Sequence, residues 1–136
     1  MIAPPDDKAQ EVTPQDSHKA DTGRLLSTLG LCARARRLVI GTPMVCEAMR
    51  QGKQILCVLE ASDTSGNTHS RLTSKCAWYK VPLHRLRADS VSLGRSVGKH
   101  GPVAAVGITD KDMLRALEKY FPSAEAPGSE SSQIIN

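Results

Sequence analysis

The residues best suited to hold a ligand lie in the stretch Leu38-Val39-Ile40-Gly41-Thr42-Pro43-Met44, closely preceded by Arg34, Arg36 and Arg37. Three apolar residues, two of them β-branched, run into glycine, threonine and proline, which predicts a strand turning directly into a helix. Gly41 would make the tight turn, Thr42 would cap the helix and Pro43 would take its first position. The first amides of such a helix have no intrahelical partner, so they can receive an anionic or acceptor-rich group.

Other chemistries find less support. A phosphate loop is worth testing at Gly94-Arg95-Ser96-Val97-Gly98-Lys99-His100, but only three residues separate its glycines and histidine follows the lysine, where the motif needs four and then Ser or Thr. Those glycines instead end a short helix, and the loop 98–102 offers Lys99 and His100 to solvent. No G-x-S-x-G elbow and no H-E-x-x-H pair is present. The histidines at 18, 69, 84 and 100 are scattered, and no motif supplies any of them with a partner for general-base work. The chain therefore reads as a non-enzyme. Cys32, Cys46, Cys57 and Cys76 show none of the close pairing that zinc sites use, so they read as small buried hydrophobes. Neither a metal nor a cofactor is expected.

Charge points to the partner. Residues 24–122 hold 16 of the 18 Lys and Arg but only 7 of the 14 Asp and Glu, a net +9, while residues 1–23 carry −3 and residues 123–136 carry −2. A compact body with that excess attracts a polyanion, and nucleic acid is the common one. Stacking platforms need several aromatics on one sheet face, whereas Trp78, Tyr79, Tyr120 and Phe121 all fall on expected helices. Trp78 and Phe121 read as core residues. Recognition would then come from helix ends, loops and basic side chains. No secretory signal and no membrane-spanning run is visible, which favours a reducing cytoplasm.

The elements that must position these residues alternate along the chain. Residues 1–21 lack a hydrophobic period and are expected to be a disordered acidic tail. Asp21 or Thr22 would cap a first helix carrying Leu25, Leu26, Leu29 and Cys32 at helical spacing. After strand Leu38–Ile40, the helix from Pro43 to about Gln51 would end at Gly52. Ile55-Leu56-Cys57-Val58-Leu59 reads as a strand buried on both faces. Asp63-Thr64-Ser65-Gly66-Asn67-Thr68 reads as turn and cap chemistry opening a helix to about Tyr79, in which Leu72, Cys76 and Tyr79 share a face. Strand Val81–Leu86 and a short helix capped by Asp89 or Ser90 follow, then the buried strand Val103–Ile108. Thr109 would cap the last helix, whose Met113, Leu117 and Phe121 face the sheet, and 123–136 is expected to be a flexible tail. Helices alternating with short strands imply an α/β fold, a three-layer α-β-α sandwich around a four-stranded mixed sheet, in one domain over 22–122.

With these elements placed, several stretches resemble one family. Leu29-Gly30-Leu31-Cys32-Ala33-Arg34, Leu38-Val39-Ile40-Gly41, Ser65-Gly66-Asn67-Thr68, Leu72-Thr73-Ser74-Lys75-Cys76, Leu93-Gly94-Arg95-Ser96-Val97-Gly98-Lys99 and Ile108-Thr109-Asp110-Lys111 follow in the order found in the ribosomal protein L7Ae family of RNA binders. The chain from about Leu25 to Phe121 is most similar to that family's bacterial YlxQ-like branch. The resemblance implies an RNA face joining the start of the second helix to the loop after the Leu-Gly-Arg-x-x-Gly helix. Kink-turn readers of the family use a Gly-x-Asn-Glu-x-x-Lys motif. Gly41 matches its glycine and Thr42 its free position, while Pro43, Met44 and Glu47 stand in place of the asparagine, glutamate and lysine. Proline has no amide to offer, methionine no carboxylate, and Glu47 carries a negative charge where phosphate prefers a positive one.

The resemblance thus implies a non-catalytic binder of structured RNA, ribosomal or kink-turn-like. Arg36, Arg37, Gly41, Thr42, Pro43, Met44, Glu47, Arg95, Lys99 and His100 are its expected contact residues. A protein module of the same fold, acting on a translation-associated or ribosome-associated partner, is the alternative that residues 43, 44 and 47 raise.

Overall fold

The computed structural model describes residues 14–121, with side chains from residue 21 onward. Helix α1 (Pro14–Arg34) leads to β1 (Leu38–Ile40), α2 (Thr42–Arg50), β2 (Cys57–Glu60) and α3 (Gly66–Tyr79). Then come β3 (Leu83–Arg85), α4 (Ser90–Ser96), β4 (Ala105–Ile108) and α5 (Lys111–Glu118). The four strands form one mixed sheet in the order β1-β4-β2-β3; only the β2-β3 pair is parallel.

Alternation along the strands builds two cores. Cys57, Leu59, Val106 and Ile108 face Leu25, Leu29 and Cys32 of α1, Leu93 of α4 and Leu117 of α5. Val58 and Ala105 face the other way, onto Val45, Ala48 and Met49 of α2 and Leu72 and Cys76 of α3. The result is an α/β three-layer sandwich with a four-stranded mixed sheet. Each fully buried Leu or Ile contributes about 1.5–3 kcal/mol of transfer free energy, and such residues occur on both faces of the sheet. Gly107 leaves room over β4 for Ile55 and for Val45 of α2: a Cβ there would sit 3.2 Å from Ile55 Cγ2 and 3.6 Å from Val45 Cγ2.

Several local expectations change. Helix α1 begins at Pro14 and not at a cap near Asp21, so the last residues of the stretch expected to lack structure are helical. Proline suits a first helical position, and residues 15–22 contain neither Gly nor Pro to stop the helix. The remaining tail residues, 1–13 and 123–136, lie outside the described residues. Asp110, not Thr109, caps α5 by accepting from the amides of Asp112 and Met113, while the Thr109 hydroxyl donates to the Arg37 carbonyl. Trp78 is not core; it is 79% exposed. The inward stripe of α3 is Leu72 and Cys76, both buried, with Tyr79 half-buried, and Trp78 is two residues past Cys76, about 200° round the helix. All four cysteines are free and buried.

Candidate nucleic-acid interface

Sheet polarity decides which loops meet. Strand β4 is antiparallel to both β1 and β2, so Gly41 after β1, the residues before Ala105 and the end of β2 share one edge. There the Gly41 amide donates to the Ala105 carbonyl at 2.8 Å, and the Ala61 amide donates to the Ala104 carbonyl at 2.8 Å. The start of α2 is thereby fastened to the end of the loop from Val97 to Ala104.

Gly41 has φ 98 and ψ 141, a conformation in which an L side chain would be strained. It, and not Thr42, is the N-cap residue, and no side chain caps α2. Thr42 is the first helical residue; it is 8% exposed, and its hydroxyl has no hydrogen-bond partner among the described residues. The first helical bond runs from the Val45 amide to the Gly41 carbonyl at 2.9 Å. Pro43 has no N–H, so Thr42 and Met44 carry the two open amides of this turn. Pro43 and Met44 are exposed, Met44 by 59%.

The partner loop is shaped by a close approach. The Lys99 amide donates to the Gly94 carbonyl at 2.9 Å and the Val103 amide to that of Ser90 at 2.9 Å, which folds the loop back over α4. Gly94 permits this, since a Cβ there would lie 2.1 Å from the Gly101 carbonyl oxygen. Gly98 turns the chain with φ 81. Residues 98 to 102 are all exposed, Lys99 and His100 among them, and so is Arg95 on α4.

Not every expected contact residue joins this edge. Arg36 and Arg37 precede Leu38, at the far end of β1, roughly 10 Å of strand away from Gly41. Arg37 is also ion-paired with Asp110, and Arg36 occupies the left-handed turn after α1 with φ 60. Of the arginines in that turn it is Arg34 that shares a groove with Arg95, Ser96 and Gly98, where Gly30 lets α1 approach the end of α4. Packing at a glycine, which spacing along the chain does not report, brings that pair together. Glu47 presents less free charge than its position suggests: Arg50 Nε donates to its Oε1 at 3.0 Å and Gln51 donates to its Oε2 at 2.9 Å. The hydrogen bond from Arg50 holds the Glu47 carboxyl below the usual range.

Sequence reasoning missed a polar cluster on the same edge. Glu60 ends the buried run of β2 and is itself fully buried. It accepts a hydrogen bond from the Thr64 hydroxyl, and His69 Nδ1 lies 2.9 Å from both of its oxygens. His69 thus has a partner after all. The charged residue closing the run Ile55–Leu59 was the available signal, but its partner is nine residues on, across a turn. The cluster ties β2 to the first turn of α3. His84 on β3 stacks near Phe121, ring centroids 4.6 Å apart, and burial pulls its imidazole pKa down. Among the described residues no His, Cys, Asp or Glu group could hold a metal ion, and no helix is long and apolar enough to cross a membrane.

Comparison with known proteins places this architecture. The chain is 40% identical over 89 residues to the RNA-binding protein YlxQ of Bacillus subtilis, covering 65% of this chain and 86% of that one. It is 26% identical over 92 residues to the large ribosomal subunit protein eL30 of Trypanosoma brucei brucei, covering 68% and 85%. A solved structure from Bacillus halodurans, of a protein with unknown function, superposes with a TM-score of 0.64 at 35% identity over 71% of this chain and 95% of that one. The 15.5kD RNA binding protein of Giardia lamblia shares the fold, with a TM-score of 0.58 at 20% identity over 82% and 83%. Residues 24–118 match the family model, and the chain belongs to the ribosomal protein L7Ae/L30e/S12e/Gadd45 family.

Proposed function

We propose that this chain is a non-catalytic, cytoplasmic binder of structured RNA, ribosomal or kink-turn-like, that grips its ligand between the start of α2 and the loop 98–102. The observation that carries this reading is the Gly41 to Ala105 hydrogen bond, which fixes two open amides beside an exposed basic loop. RNA-binding names among the relatives support it. The Thr42 and Met44 amides donate to the ligand's acceptor groups, and Arg34, Arg95, Lys99 and His100 supply phosphate and acceptor contacts. Pro43, Met44 and Glu47 provide none of the polar side-chain readout of a Gly-x-Asn-Glu-x-x-Lys reader, so shape and backbone contact dominate over base identity. Arg36 and Arg37 act at most on RNA that reaches round to the far end of β1.

Salt titration tests the reading. Log affinity for a structured RNA should fall steeply and linearly against log salt, and Lys99→Glu should lower affinity alike for RNAs of different sequence. Failure to bind any structured RNA at low salt refutes it. The exposed Met44 beside Pro43 favours one other reading, a protein module whose partner is translation-associated or ribosome-associated. Pull-down with and without nuclease separates the two, because a partner retained after RNA removal belongs to the second.

A further inference from the structure

Helix α3 carries a feature that the α2 edge does not use. Arg71, Ser74, Lys75 and Trp78 recur at intervals of three, four and seven residues, which sets them in one stripe on the helix. That stripe is centred about 130° round the helix from Leu72 and Cys76, the buried residues of α3; Arg71, Ser74 and Trp78 are exposed and Lys75, nearest the buried side, is half-buried. Trp78, the single tryptophan of the chain, is the most exposed of the large hydrophobic residues described. From residue 64 to residue 88 there is no carboxylate, while Arg71, Lys75, Lys80, Arg85 and Arg87 all fall there. Among the described residues no carboxylate forms an ion pair with Arg71, Lys75 or Lys80. A flat apolar ring therefore stands at the end of a row of open cations, spanning roughly 10 Å along the helix.

We infer that the outer face of α3 is a second nucleic-acid contact, which takes single-stranded RNA by stacking a base on Trp78 and pairing phosphates with Arg71 and Lys75. This rests on the RNA-binding reading above but names a separate surface, since α3 starts near the Gly41 edge and carries Trp78 to the opposite end. Charge complementarity selects a polyanion, and the ring selects among polyanions. In a duplex the base faces are already covered by their neighbours and give the ring nothing to stack on. An acidic polypeptide would neutralise the cations but leave the indole without a flat partner. A single strand satisfies both, because every base has a free face and every residue a phosphate.

Because Trp78 is the only tryptophan, its emission reports this site alone. The full chain should be titrated with an oligouridylate of about ten nucleotides, within the span of single-strand sites, and separately with a closed RNA hairpin lacking single-stranded ends. The single strand should quench Trp78 emission saturably, less so at higher salt, and the hairpin should leave that emission unchanged. Trp78→Ala should weaken oligouridylate binding about tenfold, and Lys75→Glu should weaken it too. Oligouridylate binding without quenching overturns the inference, as does an unchanged affinity in Trp78→Ala or quenching by polyglutamate equal to that by oligouridylate. If the hairpin still binds in any of these cases, the α2 site stands and only the α3 site is lost; a chain that binds neither RNA loses both.

Discussion

Replacing Gly94 by alanine should separate the shape of the α4-β4 loop from the mere presence of its charges. The added Cβ would meet the Gly101 carbonyl oxygen at 2.1 Å, with the Gly101 carbonyl carbon at 3.2 Å and the Val103 nitrogen at 3.3 Å. All three are backbone atoms, so no side chain can swing aside. The loop must retreat by about 1 Å, which strains the Lys99 to Gly94 and Val103 to Ser90 bonds that hold it. Overpacking costs about 1–3 kcal/mol and each weakened bond up to about 1, against about 0.5–1 kcal/mol gained from alanine in a helix. The net expectation is a loss of about 2–3 kcal/mol in a urea unfolding experiment. RNA affinity should fall even where the variant is fully folded, because the loop has moved relative to Gly41. Gly23→Ala is the control: nothing lies within 4 Å of its Cβ, so it should stabilise α1 by about 0.5–1 kcal/mol. A Gly94→Ala chain as stable as the parent would refute the packing argument. One that is destabilised but binds RNA with undiminished affinity would refute the role of the loop.

Three further perturbations test other parts of the account. Thr42→Val should leave stability unchanged or raise it by about 1 kcal/mol, since it removes a buried hydroxyl with no partner; a loss of that size would mean that Thr42 caps α2 after all. His69→Ala should cost about 1–3 kcal/mol in chemical denaturation, more than Glu60→Leu, because only the first leaves a buried carboxylate short of a partner. The reverse order would contradict that assignment. Stability should also fall as pH drops below about 6.5. Burial of His84 outweighs the nearby Glu118 charge and lowers its pKa from 6.5, so the unfolded chain binds the proton more readily. The contribution is present above 6.5 and is lost as pH falls through that value toward the folded-state pKa. His84→Leu should flatten this slope, and a slope unaltered by the substitution would assign it to another group.

Much of the architecture was legible because it rests on short-range signals. The apolar runs 38–40, 55–59 and 103–108 announced strands, the Leu72, Cys76 and Tyr79 spacing announced a helix face, and Asp89 announced a cap. Ends were less legible, since Thr42 and Thr109 have capping chemistry but adjacent residues take the cap positions. Long-range geometry was the least legible. Spacing put Arg36 and Arg37 near Gly41, but a strand crosses the whole sheet in three residues and carries them to its opposite end. Glu60 meeting His69, and Arg34 sharing a groove with Arg95, depend on how layers pack and left no periodic trace. Trp78 was misread because aromatic residues are usually buried, while its phase on α3 already set it off the apolar stripe.

The central claim is that RNA sits between the open start of α2 and the loop 98–102. Backbone amide shifts of the full chain in heteronuclear NMR, recorded while a structured RNA hairpin is added, test it residue by residue. The account predicts the largest shifts at Thr42, Met44 and Gly98 to Gly101, with Arg36 and Arg37 little changed. Binding that leaves those amides unmoved and perturbs another face would contradict it.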